Sequence, residues 1–155
     1  MVYDSPLPLK EEHESLHERL RQATQAGGEV GELAKALARV MHPHFVKEDQ
    51  FALPPLGLLG ALAAGEPTPQ MAGVLALTDR LEAELPSMLA EHRTIVEALQ
   101  RLADGARRAG RPDIVDFAQQ LTEHAQTEEA VMYPAAILVG KFVRLHMGAM
   151  AGRAP

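Results

Sequence analysis

His124-Ala125-Gln126-Thr127-Glu128 reproduces, about eighty positions on, the spacing of His44-Phe45-Val46-Lys47-Glu48. A lone histidine after a glutamate precedes each copy: Glu12-His13 in the first half, Glu91-His92 in the second. A proline stands six residues beyond each motif glutamate, Pro54 and Pro134, so the chain reads as two matched halves. On a helix, His and Glu four apart share one face about 6 Å apart along the axis, so one helix offers a nitrogen and an oxygen together.

The decisive question is which face carries these residues. In the second helix the three-and-four spacing Val30, Leu33, Leu37, Met41, His44, Glu48, Phe51 is that of a buried stripe. In the fourth it is Phe117, Leu121, His124, Glu128, Val131, Ala135, Leu138, Phe142. His13 lies with Leu9, Leu16 and Leu20, and His92 with Leu85, Met88, Ile95, Leu99 and Leu102. All six polar residues interrupt apolar stripes. Two carboxylates buried without compensation would cost several kcal/mol each, which metal cations offset directly. A single inward histidine is most often a hydrogen-bonded core residue. Two matched sets point instead to metal.

The 155 residues suffice for one domain with a real core. Hydrophobic residues make up 46% but aromatics only 4%, so the core must be Leu, Ala, Val and Met, which favours helices. A net charge of -6 argues against nucleic acid, which needs a basic footprint. The absence of cysteine excludes thiolate metal sites, leaving nitrogen and oxygen donors. Met1 to Pro6 lacks the basic start and apolar run of a signal peptide, and the apolar stretch near Leu53 to Ala64 is too short to span a bilayer. The expectation is a soluble cytoplasmic protein with no membrane partner.

Periodicity and breakers predict four helices, at about 8–25, 30–51, 68–109 and 112–147, with a short helix at 56–64 between the second and third and a frayed tail at 148–155. Short connections within each pair make two hairpins, hence an all-α, up-down-up-down four-helix bundle spanning residues 1–155. Pro43, Pro86 and Pro134 fall inside predicted helices and should kink them, and Pro86 could instead split the third.

The pattern His13, His44-x-x-x-Glu48, His92, His124-x-x-x-Glu128 resembles the hemerythrin-like HHE cation-binding family over roughly residues 9–139. The resemblance implies a non-haem di-iron centre. Carried over, His13 and His44 would bind one iron, His92 and His124 the other, and Glu48 and Glu128 would bridge them with an oxo or hydroxo group. Oxygen-carrying hemerythrins have His-x-x-x-His on the third helix, where this chain has Val96 four residues after His92. Its first helix instead reads His13-Glu-Ser-Leu-His17, making His17 a candidate fifth histidine; otherwise it is an edge residue, hydrogen-bonded or wet. Tyr133, where the first half has Leu53, either points its hydroxyl toward the cluster or packs. His42 and His146 read as surface residues, and Asp49 and Glu129 as solvent-facing or paired with basic groups.

Three functions follow. The first is reversible binding or sensing of a small diatomic, O2 or NO, at the two irons. The second is a stress-response enzyme or iron-handling protein acting on peroxide or NO, or in metal-centre repair. The third is a bundle with mainly structural metal that acts through an unidentified protein partner, as a monomer or homodimer. Manganese and zinc are the alternative metals.

Overall fold

The structure, a computed structural model, describes residues 2–152. Among the described residues, six α-helices run in the order α1 (Leu7–Thr24), α2 (Gly28–Lys47), α3 (Leu59–Ala63), α4 (Val74–Arg108), α5 (Pro112–Thr127) and α6 (Tyr133–Ala151). A π-helical turn, Glu48–Ala52, extends α2, and another, Glu128–Met132, joins α5 to α6, so α5 and α6 form one long rod. Two 3₁₀ turns, Pro54–Leu58 and Pro69–Gly73, flank α3 at one end. The neighbours are α1 with α2, α2 with α4, α4 with α5, and α5 with α1, which closes an all-α four-helix ring.

Helix boundaries follow backbone chemistry. Pro112 opens α5 at its first position, where a missing N–H costs nothing. Gly110, at φ 66°, ends α4. Arg111 N–H donates to Ala106 and Gly110 N–H to Arg107, which satisfies the last carbonyls. Two predicted boundaries differ. The third helix becomes α-helical only at Val74, after the 3₁₀ turn, and then runs unbroken past Pro86. The fourth continues to Ala151, into the stretch expected to fray; residues 153–155 of that tail lie outside the described residues.

The fourth-helix stripe needs a larger correction. Val131, Leu138 and Phe142 were expected inside, but they are exposed; Met132, Tyr133, Ala136, Val139 and Val143 are buried instead. The π turn is the cause. Tyr133 N–H donates to the Glu128 carbonyl five residues back, so the turn carries one extra residue and the inner face advances by one. Proline explains its position. Pro134 has no N–H, and its ring would clash with the carbonyl of Ala130 in α register, so the wider turn relieves the conflict. Pro54 imposes the same solution on the first half, where Leu53 N–H reaches Glu48 O at 3.0 Å.

This shift leaves an apolar stripe on the outside of α6. By length and composition, Pro112–Ala149 is long and apolar enough to cross a membrane, with a mean hydropathy of 1.2, unlike the shorter stretch from Leu53 to Ala64. On its inner side, α6 meets α4 closely at Gly140, where a Cβ would collide with the buried Thr78.

The apolar interior falls into separate clusters. One holds Leu16, Leu37, Phe45, Leu99 and Leu121; another holds Phe51, Leu53, Met88, Met132 and Tyr133. Along the rods of α4 and α5 the two clusters stop on opposite sides of His92 and His124, and along that of α2 they stop on opposite sides of Glu48. The polar residues therefore form a layer across the middle of the bundle.

Candidate metal centre

His13, His44, Glu48, His92, His124 and Glu128 are all buried, none more than 4% exposed. The fold brings all six together, as two groups of donors. One is His44, Glu48, His92 and Glu128; the other is His13, His124 and Glu128. The Nε2 atoms of His44 and His92 lie 2.8 Å apart, and those of His13 and His124 lie 3.2 Å apart. Two donors each about 2.1 Å from one cation, at a right angle, stand roughly 3 Å apart.

The histidine pairing differs from the one that the resemblance implied. His13 and His44 do not share a group, and neither do His92 and His124. α1 lies beside α5 and α2 beside α4, so each lone histidine meets the motif histidine of the other hairpin. Each group therefore ties the two halves of the chain together.

Both carboxylates reach both groups. Glu48 places Oε1 3.0 Å from His44 and Oε2 3.6 Å from His13. Glu128 places Oε1 3.4 Å from His124 and 3.7 Å from His92. On both glutamates Oε2 is buried without a hydrogen-bond partner. Buried orphans of this kind are rare, and here they point into a cluster of imidazole nitrogens. The donor set fits two cations with the carboxylates between them.

The electrostatics without metal support this. Burial and the neighbouring Glu128 push Glu48 above the usual carboxylate range. Burial also acts to raise Glu128, but the neighbouring Glu48 carboxyl and the His124 and His13 imidazoles outweigh this and hold it at about 2. Burial acts to lower His124, yet Glu128 and Glu12 raise it to about 9. A proton on His124 thus balances the Glu128 carboxylate, and a cation would displace it.

An outer ring of acids holds the imidazoles, and it follows the repeat. Glu12, before His13, accepts from Nδ1 of His124 at 3.0 Å, and Glu129, after Glu128, accepts from Nδ1 of His92 at 2.9 Å. Their counterparts are looser. Glu91 stands 3.6 Å from Nδ1 of His44 while Lys47 holds it at 2.9 Å, and Asp49 stands 3.5 Å from Nδ1 of His13. Such acids fix ring orientation and raise donor strength. Sequence reasoning sent Asp49 and Glu129 to solvent or to basic partners. The available signal was an acid at the same offset in both halves.

Tyr133 faces the cluster. Its hydroxyl donates to Glu48 Oε1 at 2.5 Å and lies 3.3 Å from Nε2 of His44 and 3.2 Å from Nε2 of His92. Burial and the two carboxylates push its phenol far above the usual range, so it is neutral here. His17 does not join either group. It is half-buried, its ring lies 3.9 Å from that of Phe45, and it lines an open groove between α1 and α2. Burial and the nearby His13 hold its pKa below the ordinary value. His42 is exposed and His146 half-buried, and neither is in a donor group.

The family model for the hemerythrin HHE cation-binding domain matches residues 8–136. The chain belongs to the hemerythrin family. Comparison with curated proteins and with solved structures gave no match. The matched span contains every residue of this hemerythrin centre, together with its acid ring and Tyr133. It therefore carries a metal-cation site built from buried histidines and glutamates.

Proposed function

We propose that the protein is a non-haem di-iron hemerythrin-like protein that binds or senses a small diatomic ligand, O2 or NO. His44, Glu48, His92 and Glu128 would hold one iron, and His13, His124 and Glu128 the other, with Glu48 spanning both. Iron bound there supplies reversible ligand binding and one-electron redox chemistry. The observation that carries the reading is the pair of orphaned carboxylate oxygens facing four converging imidazoles.

The surroundings favour a small apolar ligand. A cavity of about 350 Å³ between α4 and α6, walled by Leu85, Leu89, Ile137 and Leu138, ends at Tyr133 and Glu129. Tyr133 adds an oxygen beside His44 and His92, whereas its repeat counterpart Leu53 has no donor to add. The group at His13 and His124 is thus the one with fewer protein donors. Manganese or zinc would fit the same donors, and only iron makes the reading above work.

A second reading, an enzyme acting on peroxide or NO, has Tyr133 in its favour as a buried hydroxyl beside the cluster. Iron-loaded protein, kept anaerobic and then exposed to O2, NO or peroxide, separates the readings by visible absorption. Reversible new bands with O2 or NO support a carrier or sensor. Turnover of peroxide without a stable adduct supports the enzyme, and no response to any of the three contradicts both.

A further inference from the structure

The outward face of α6 is apolar along most of its length. Leu138, Phe142 and Leu145 are 65%, 45% and 74% exposed, and Pro134 and Ala149, both exposed, continue the same three-and-four stripe at its ends. Scattered apolar residues are normal on a surface, but a continuous stripe rimmed by polar groups marks an interaction site. On its inner side α6 packs on α4 and on the two 3₁₀ turns, which leaves the stripe to solvent. Lys141 and Arg144 are the only Lys, Arg, Asp or Glu residues between Tyr133 and Ala151. Both reach across to acids of α4, Lys141 to Glu82 at 2.9 Å and Arg144 to Asp79 at 2.6 Å. The stripe is therefore bordered by a neutral row of two bases and two acids, on a chain whose net charge is -6.

We propose that two copies of this chain pair through this face, α6 against α6, antiparallel about a two-fold axis beside Phe142. The pairing is independent of the metal reading. Reversing the stripe maps it onto itself: Leu138 meets Leu145, Pro134 meets Ala149, and Phe142 meets its own counterpart. A two-fold contact must be self-complementary in this way. The axis also lays the row of bases and acids beside its copy, so Lys141 of one chain can bridge Glu82 of the other. Two acidic chains repel over most of their surface, and this neutral row is where they can approach. A lipid surface is a poorer match, because anionic headgroups are held by unpaired bases and both bases here are taken. The area is sufficient. The 19 residues of α6 are about 28 Å long, and with α4 alongside the face is about 20 Å wide, roughly 550 Å² per copy. A pair would bury about 1,100 Å², and a specific interface needs about 1,000 Å².

Sedimentation velocity of the full-length protein at rising concentration should show its mass shift from one chain to two. Phe142→Glu, at an exposed position, should stay a single chain throughout, with unchanged helix content. The sequence has no cysteine, so introduced cysteines read the register directly. Phe142→Cys should form a disulfide-linked pair under mild oxidation. Leu138→Cys should not link to itself, because its two copies stand about 10 Å apart along the helix, beyond the roughly 7 Å that a disulfide spans. It should link to Leu145→Cys when the two proteins are mixed. A single chain at every concentration, or Leu138→Cys linking to itself as readily as Phe142→Cys, would overturn the pairing. Capture of single chains by vesicles of phosphatidylcholine and phosphatidylglycerol, lost in Phe142→Glu, would overturn it in favour of lipid.

Discussion

Glu12, one residue before the buried His13, turns away from it and accepts a hydrogen bond at 3.0 Å from Nδ1 of His124, at the far end of the chain. Glu129 does the same for His92 at 2.9 Å. These acids set which nitrogen of each ring faces the centre. Glu12→Gln and Glu129→Gln should each weaken metal affinity by about 10–100-fold with helix content unchanged. Equilibrium competition with a chelator measures it, and unchanged affinity in both variants would remove the acids from the account.

The π turn is held open by a proline. Pro134→Ala restores an N–H and removes the ring, so the rod should relax toward continuous α-helix and rotate Tyr133 off the inner face. Near-ultraviolet circular dichroism should lose its buried tyrosine signal, and the protein should be less stable by about 1–3 kcal/mol for the lost bond to buried Glu48. An unchanged spectrum would mean that the turn has another cause.

Much of this was legible in the sequence and some was not, for one physical reason. The four helices and the six inward residues follow from 3.6-residue periodicity, which holds from Val30 to Glu48 and from Phe117 to Glu128. Beyond Glu128 the added residue breaks the period, so Tyr133 turns inward and Leu138 and Phe142 turn outward, against the unbroken spacing. The matched Pro54 and Pro134 carried that information. The pairing of histidines was hidden because it depends on which helices are neighbours, and intra-chain spacing is silent on that. His17 looked like a ligand by its spacing from His13, but Phe45 occupies its neighbourhood.

His17 provides a direct check on that correction. His17→Leu should leave the final iron content and the absorption spectrum of the loaded protein unchanged. A shifted spectrum would return His17 to the coordination shell.

Metal-free protein should respond to pH in a defined direction. His124, raised from 6.5 to about 9, contributes stability fully below 6.5 and loses it as pH rises through 9. Glu128, lowered from 4.5 to about 2, contributes above 4.5 and loses it as pH falls through 2. Metal replaces the proton on His124, so the gap in melting temperature between loaded and metal-free protein should widen from pH 6.5 to 9. Thermal unfolding of both forms measures it, and a constant or narrowing gap would contradict the assignment.

The apolar mouth predicts a kinetic effect. Ile137→Trp should fill the cavity beside Tyr133 and slow association of O2 or NO with the iron-loaded protein, with metal content unchanged. Flash photolysis reads the rate. An unchanged rate would place ligand entry elsewhere.

Everything above depends on two cations sharing Glu128. Titration of metal-free protein with Fe²⁺ under anaerobic conditions, followed by metal analysis after removal of unbound ions, tests that most directly. The account predicts two irons per chain, and a loss of both to well below one in Glu128→Ala. One metal per chain, or a Glu128→Ala protein that still holds two, would contradict it.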